Sequence, residues 1–204
     1  MRNSFRLLVV CAFLLAALAV STPARRPSIA TPAAEDKTKP SYDLKAQAAL
    51  DLVDLQKKFT SLAEAIPQEK YTWRPGGGVR SVSELFLHVS AAGFNFPVMK
   101  GTPPEPGFVA KGFEKSTTDK AKIIEWLNKS FAYSIASVES MSNAEFANLL
   151  PELGPDANKG DVVYLMVAHA HEHLGQAISY SRSVGVVPPW TAEAQKKSAP
   201  APMD

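Results

Sequence analysis

Apolar residues recur at three- and four-residue steps in four separate stretches of the chain, and no clear run of period-two alternation accompanies them. Leu52, Leu55, Phe59, Leu62 and Ile66 predict a helix from about Asp43 to Ile66, stopped by Pro67. A second helix is predicted from about Val82 to Phe96, where Pro97 should end or kink it. Ser81 and Glu84 form an S-x-x-E capping pattern just ahead of its apolar run. Ile124, Leu127, Phe131, Ile135 and Val138 share one stripe of a third helix, from about Thr118 to Ser140. A fourth, from about Gly160 to Ser183, carries Val162, Met166, His169, His173, Gln176 and Tyr180 on one stripe, and Gly185 with Pro188-Pro189 closes it. Four amphipathic helices without strands predict an all-α four-helix bundle. The link between the second and third helices, Gly101 to Lys115, is long and rich in Pro and Gly, so it should cross along the bundle or over its end. A short extra turn is expected near Asn143 to Leu150.

The flanks read differently. Leu7 to Val20 is an unbroken apolar run behind Arg2 and Arg6. It is short for a membrane span, which needs roughly 20 residues. Ala17-Leu18-Ala19 and Thr22-Pro23-Ala24 offer cleavage sites, so residues 1–24 are read as a signal peptide and the protein as exported, periplasmic or extracellular. No stable membrane span is expected once that segment is removed. Residues 25–40 and 192–204, poor in large apolar side chains, are read as a disordered linker and a disordered tail. The folded domain then covers residues 41–191.

Charge narrows the partners. The 22 basic residues exceed the 20 acidic ones only through Arg2 and Arg6, so the chain without residues 1–24 is neutral. A neutral chain without a basic stripe gives no electrostatic case for nucleic acid. A small-molecule partner is expected instead, and a homodimer is compatible with a small bundle. The single cysteine, Cys11, lies inside the apolar run, so the mature chain has no disulfide, thiolate ligand or thiol nucleophile.

Chemistry concentrates in the fourth helix, in His169-Ala170-His171-Glu172-His173. Residues four apart lie on one helical face, so His169 and His173 point together and can chelate one ion. His171, about 200° around the helix from His169, faces away. The spacing is not H-E-x-x-H, since Gly175 stands four residues after His171. His88, the remaining histidine, lies among Leu85, Val89 and Ala92 on the second helix and is the candidate third ligand. Gln176, on the same face as His173, could hydrogen-bond a ligand. Glu84 could do so too, though the helix cap is the preferred role. Without thiolates, imidazole ligands suit zinc, nickel, copper or iron, and the donor set does not choose among them; a divalent ion is expected, zinc or nickel first, then iron or manganese.

Tyr71-Thr72-Trp73-Arg74-Pro75, Arg80-Ser81-Val82-Ser83-Glu84-Leu85 leading to His88, His169-x-x-x-His173-x-Gly175-Gln176, and Pro188-Pro189 stand in this order. In that arrangement the chain resembles the DinB-like superfamily of four-helix bundles, over about residues 41–191. The resemblance implies a divalent metal on one histidine of the second helix and two of the fourth, which maps onto His88, His169 and His173. It also implies either metal-dependent hydrolysis or thiol-dependent S-transfer. Small reducing thiols are scarce outside the cytosol, so export favours the hydrolase. A non-catalytic binding or scaffold module is the alternative from another class. Gly76-Gly77-Gly78 lacks the Lys-Ser/Thr of a phosphate loop and is read as a turn. Trp73 and Arg74 are expected to pack at the bundle end, with anion binding the alternative for Arg74, and Phe94 and Phe96 are expected to fill core.

Overall fold

A computed structural model describes residues 43–198. The expected signal peptide and linker lie outside them. Helix α1, Leu44–Ala65, starts where the Asp43 carboxylate accepts from the Ala46 amide at 3.0 Å. All five residues of its predicted stripe are buried to 1% exposure or less. A 3₁₀ turn, Gln68–Lys70, follows. The chain then passes buried Tyr71, whose hydroxyl donates to the Ala63 carbonyl at 2.7 Å.

Helix α2, Val82–Met99, opens on the expected capping box, with Ser81 and Glu84 each bonding the other's backbone amide. It does not stop at Phe96. Pro97 sits inside it, and the carbonyl Pro97 leaves without an amide partner is that of Gly93. Ser134 of helix α3, Lys120–Glu139, donates its hydroxyl hydrogen to that carbonyl at 2.7 Å, so the last turn persists. A Cβ on Gly93 would lie 3.1 Å from Ser130 Cβ, a measure of how close α2 and α3 run here.

That approach also corrects the stripe expected on α3. Ile123, Leu127, Ser130, Phe131, Ser134, Ser137 and Val138 are buried, whereas Ile124 and Ile135 sit at the half-buried edges. The serines satisfy their hydroxyls on backbone carbonyls and present little bulk, so the tight seam turns them inward.

The crossover between α2 and α3 ends in a 3₁₀ turn, Phe113–Lys115, entered through Gly112 at φ 77°. Phe113 anchors it, with its ring 5.0 Å from Phe108 and 5.2 Å from Trp126. A further 3₁₀ turn, Asn143–Ala147, precedes helix α4, Lys159–Ser183, and both open on reciprocal caps, Ser142 with Glu145 and Asn158 with Asp161. Gly185, at φ 86°, ends α4 with Val186 N–H on the Ser181 carbonyl at 2.8 Å and Gly185 N–H on that of Arg182 at 3.0 Å.

Four helices therefore pack around one core, and α2 touches both α3 and α4. No strand occurs among the described residues; the one ladder contact is the bridge between Leu149 and Asn158. Residues 192–198 of the expected tail instead belong to a fifth helix, α5, Pro189–Ser198, and the rest of that tail lies outside the described residues. Proline suits a first helical position, and Ala, Glu, Gln and Lys sustain the helix. Trp190 tethers it against the core while none of its residues is fully buried. No helix among the described residues is long and apolar enough to cross a membrane.

Candidate metal centre

The packing of α2 against α4 brings His88, His169 and His173 together. Their Nε2 atoms form a nearly equilateral triangle: His88 to His169 3.2 Å, His88 to His173 3.1 Å, His169 to His173 3.1 Å. His173 is buried, with His88 and His169 half-buried beside it. His171 and Glu172 are exposed on the outer face of α4, as the helical period requires.

The other ring nitrogens determine what those Nε2 atoms can be. Nδ1 of His88 stands 2.7 Å from Oε1 of Glu114, in the turn at the end of the crossover. Burial pushes the Glu114 carboxyl upward, but hydrogen bonds and charge from Arg80 and His88 outweigh it and hold the pKa below its ordinary value. Arg80 grips both Glu114 oxygens, Nε at 2.7 Å and Nη2 at 3.3 Å. An ionised carboxylate only accepts, so His88 carries its proton on Nδ1.

A second relay orients His173. Its Nδ1 stands 2.9 Å from Gln176 Oε1, the Gln176 amide donates to the Tyr180 hydroxyl at 3.0 Å, and that hydroxyl donates to the Arg80 carbonyl at 3.2 Å. Since Tyr180 spends its proton on the Arg80 carbonyl, Gln176 must turn its NH₂ toward Tyr180 and its oxygen toward His173. His173 therefore carries its proton on Nδ1 as well. Trp73 meets the Tyr180 ring edge-on at 5.5 Å and supports this relay, in keeping with a packing role.

With a proton on each Nδ1, the Nε2 atoms of neutral His88 and His173 face each other as lone pairs across 3.1 Å. A positive centre placed there would satisfy both lone pairs. Burial, then the neighbouring His173 and His88, lowers the His169 pKa to about 4, and burial also lowers that of His173, so these two rings disfavour a proton. A divalent ion fits. With metal–nitrogen distances of about 2.0–2.1 Å, ligand nitrogens lie about 3.3–3.4 Å apart in a tetrahedral set and about 2.9 Å apart on an octahedral face, and the observed triangle falls between.

Phe96 is not simple core. It is half-buried and meets the His169 ring edge-on at 5.2 Å, while Phe94 is fully buried. With Met166, Phe96 lines a cavity beside His169 of only about 10 Å³, room for about one water. Behind the rings, on their Nδ1 side, lies a polar cleft of about 540 Å³, bordered by Glu114 and Gln176, the partners of the two oriented histidines. Glu84 also lines it, spent on the Ser81 amide and on Arg74, so its role is the cap. Glu114 was not foreseen in the sequence because the crossover has no periodicity. The available signals were the unpaired Nδ1 of His88 and the two phenylalanines of the crossover, Phe108 and Phe113, marking a docked turn.

Residues 51–177 match the model of the DinB superfamily. Among solved structures, the chain is similar to a DinB-like protein from Bacillus subtilis at 20% identity, with a TM-score of 0.55, covering 68% of this chain and 92% of that one. It is also similar to a conserved protein from Enterococcus faecalis at 13% identity, with a TM-score of 0.56, covering 70% and 97%. At these identities the likeness is one of fold. No curated protein matches the chain.

Proposed function

Because this chain belongs to the DinB superfamily and gathers three imidazoles at one point, we propose that it is an exported metal-dependent hydrolase of a small-molecule substrate, with His88, His169 and His173 as the metal ligands. One observation carries the reading: two Nε2 lone pairs directed at each other, each fixed by a hydrogen-bonded Nδ1. Zinc or nickel suits the all-nitrogen set best. When bound, such an ion supplies Lewis acidity, polarising a carbonyl or phosphoryl oxygen and acidifying water.

The protein's own part is positional. Glu114 keeps the His88 proton on Nδ1, and Gln176 does the same for His173, so both rings aim Nε2 at one point. Phe96 and Met166 line the small apolar cavity beside His169, while the polar cleft borders Glu114 and Gln176 on the Nδ1 side of the rings. Three neutral ligands leave positions open for water and substrate, as in catalytic rather than structural sites. Export rests on the basic residues and apolar run at the N-terminus, and the neutral mature chain argues against nucleic acid as partner.

The test is elemental analysis of mature protein purified without a His-tag, beside the His169→Ala/His173→Ala double variant. Near-stoichiometric metal in the parent and none in the variant is expected, followed by turnover on ester, amide or phosphate panels that the variant lacks. Metal-free parent after incubation with zinc, nickel, manganese and iron would sink the metal reading. Loaded protein without turnover on any panel would leave a non-catalytic binding module.

A further inference from the structure

Hydrogen bonds from Nδ1 orient two of the three clustered rings, and the third has none. Nδ1 of His88 meets Glu114 Oε1 at 2.7 Å, and Nδ1 of His173 meets Gln176 Oε1 at 2.9 Å. His169 bonds only through Nε2, to the other two imidazoles, and no group among the described residues pairs with its Nδ1. The outer torsion of a histidine side chain is broad and roughly two-fold, so a ring without that anchor can turn over and exchange its two nitrogens.

The surroundings of His169 are apolar. The Phe96 ring stands 5.2 Å from the imidazole, centroid to centroid, at 78°. Ala92, Phe96 and Met166 wall a cavity beside it of about 10 Å³, room for about one water. An imidazole has no space to turn into while the phenyl ring stands there. Phe96 lies about two turns beyond His88 on α2, just ahead of Pro97. The Ser134 hydroxyl on the Gly93 carbonyl keeps that last turn helical and so keeps Phe96 against α4.

We infer that Phe96 is the positioning residue of His169: its ring does by edge-to-face packing what Glu114 and Gln176 do for the other two rings by hydrogen bonding. The inference rests on the metal reading for what the oriented Nε2 serves, and on packing alone for the orientation. A perpendicular aromatic pair favours one mutual arrangement through the ring quadrupole, a preference that an aliphatic side chain of similar size does not supply.

The test uses the full mature chain, with and without zinc, as parent, Phe96→Ala, Phe96→Leu, Phe96→Tyr and Val138→Ala. The last truncates the buried core on α3 and touches neither the cavity nor the cluster. Nitrogen-15 NMR of the metal-free proteins at pH 7 reads which nitrogen of His169 carries the hydrogen. The parent should show one ring state and Phe96→Ala a mixture of two. Chelator competition for zinc reads the consequence. Phe96→Ala should lose about three- to tenfold in affinity, Phe96→Leu part of that, and Phe96→Tyr, which keeps the ring, nothing. Val138→Ala should melt earlier than the parent with its zinc affinity unchanged, which separates orientation from general stability. A single His169 state in Phe96→Ala overturns the inference, as does parental zinc affinity in that variant, an equal loss in Val138→Ala, or a loss in Phe96→Tyr as large as in Phe96→Ala. Phe96→Leu keeps the test decisive if Phe96→Ala folds poorly. A parent that takes up no zinc overturns the metal reading, and the NMR comparison then decides the orientation of His169 on its own.

Discussion

Glu114 Oε1 accepts the Nδ1 hydrogen of His88 at 2.7 Å, across 26 residues of chain, and so ties the far end of the crossover to the histidine cluster. Replacing Glu114 by Gln removes the charge that fixes the His88 tautomer and frees Arg80. Metal affinity should fall about 10- to 100-fold with helix content unchanged, as read by chelator competition and circular dichroism. Unchanged affinity would mean that His88 is oriented by packing alone.

The relay on His173 can be tested at its distal end. Tyr180→Phe removes the hydroxyl that sets the Gln176 amide, while the ring still packs on Trp73. Gln176 can then present either face to His173. A loss of affinity smaller than that of Gln176→Ala is expected in the same competition assay, together with a mixture of His173 tautomers in nitrogen-15 NMR of the metal-free protein.

The pH dependence of the metal-free protein has a definite sign. His169 has a folded pKa of about 4, below its unfolded value of about 6.5, and that of His173 is also lowered. The unfolded chain binds more protons in this window, so stability is full above about pH 6.5 and declines as pH falls through about 4. Urea midpoints at pH 7 and pH 4.5 should differ more for the parent than for His169→Gln. An equal difference would remove His169 from the account.

The α2–α3 seam makes a separate prediction. Ser134→Ala leaves the Gly93 carbonyl without its donor and should cost about 1–3 kcal/mol. Gly93→Ala should cost about as much by driving a methyl against Ser130, and adding Ser130→Gly should recover part of that loss in thermal melts.

His171→Ala is the negative control for the centre. His171 lies exposed on the opposite side of α4, so metal stoichiometry and affinity should match the parent. Any loss of metal would indicate a different ligand set.

Much of this could be read from the chain itself. The α1 stripe, the Ser81–Glu84 cap and the inward pairing of His169 with His173 all follow from the 3.6-residue period acting on residues of unambiguous polarity. The α3 face was harder to read, because Ser130, Ser134 and Ser137 count as polar in a periodic pattern yet pack as small groups whose hydroxyls bond helix carbonyls. Pro97 looked like a stop because its compensating donor lies 37 positions away on another helix. Glu114 sits in a loop where no period operates, and α5 is held by one tryptophan rather than by a stripe.

Two of the three clustered imidazoles belong to α4, the last of the four bundle helices to leave the ribosome. The donor triangle therefore closes only after nearly the whole domain has been synthesised and α4 has docked on α2. If the chain is threaded unfolded through a translocon, no ion can be captured before it arrives. The supply of metals at the destination, rather than in the cytosol where translation occurs, would then decide which element the protein carries.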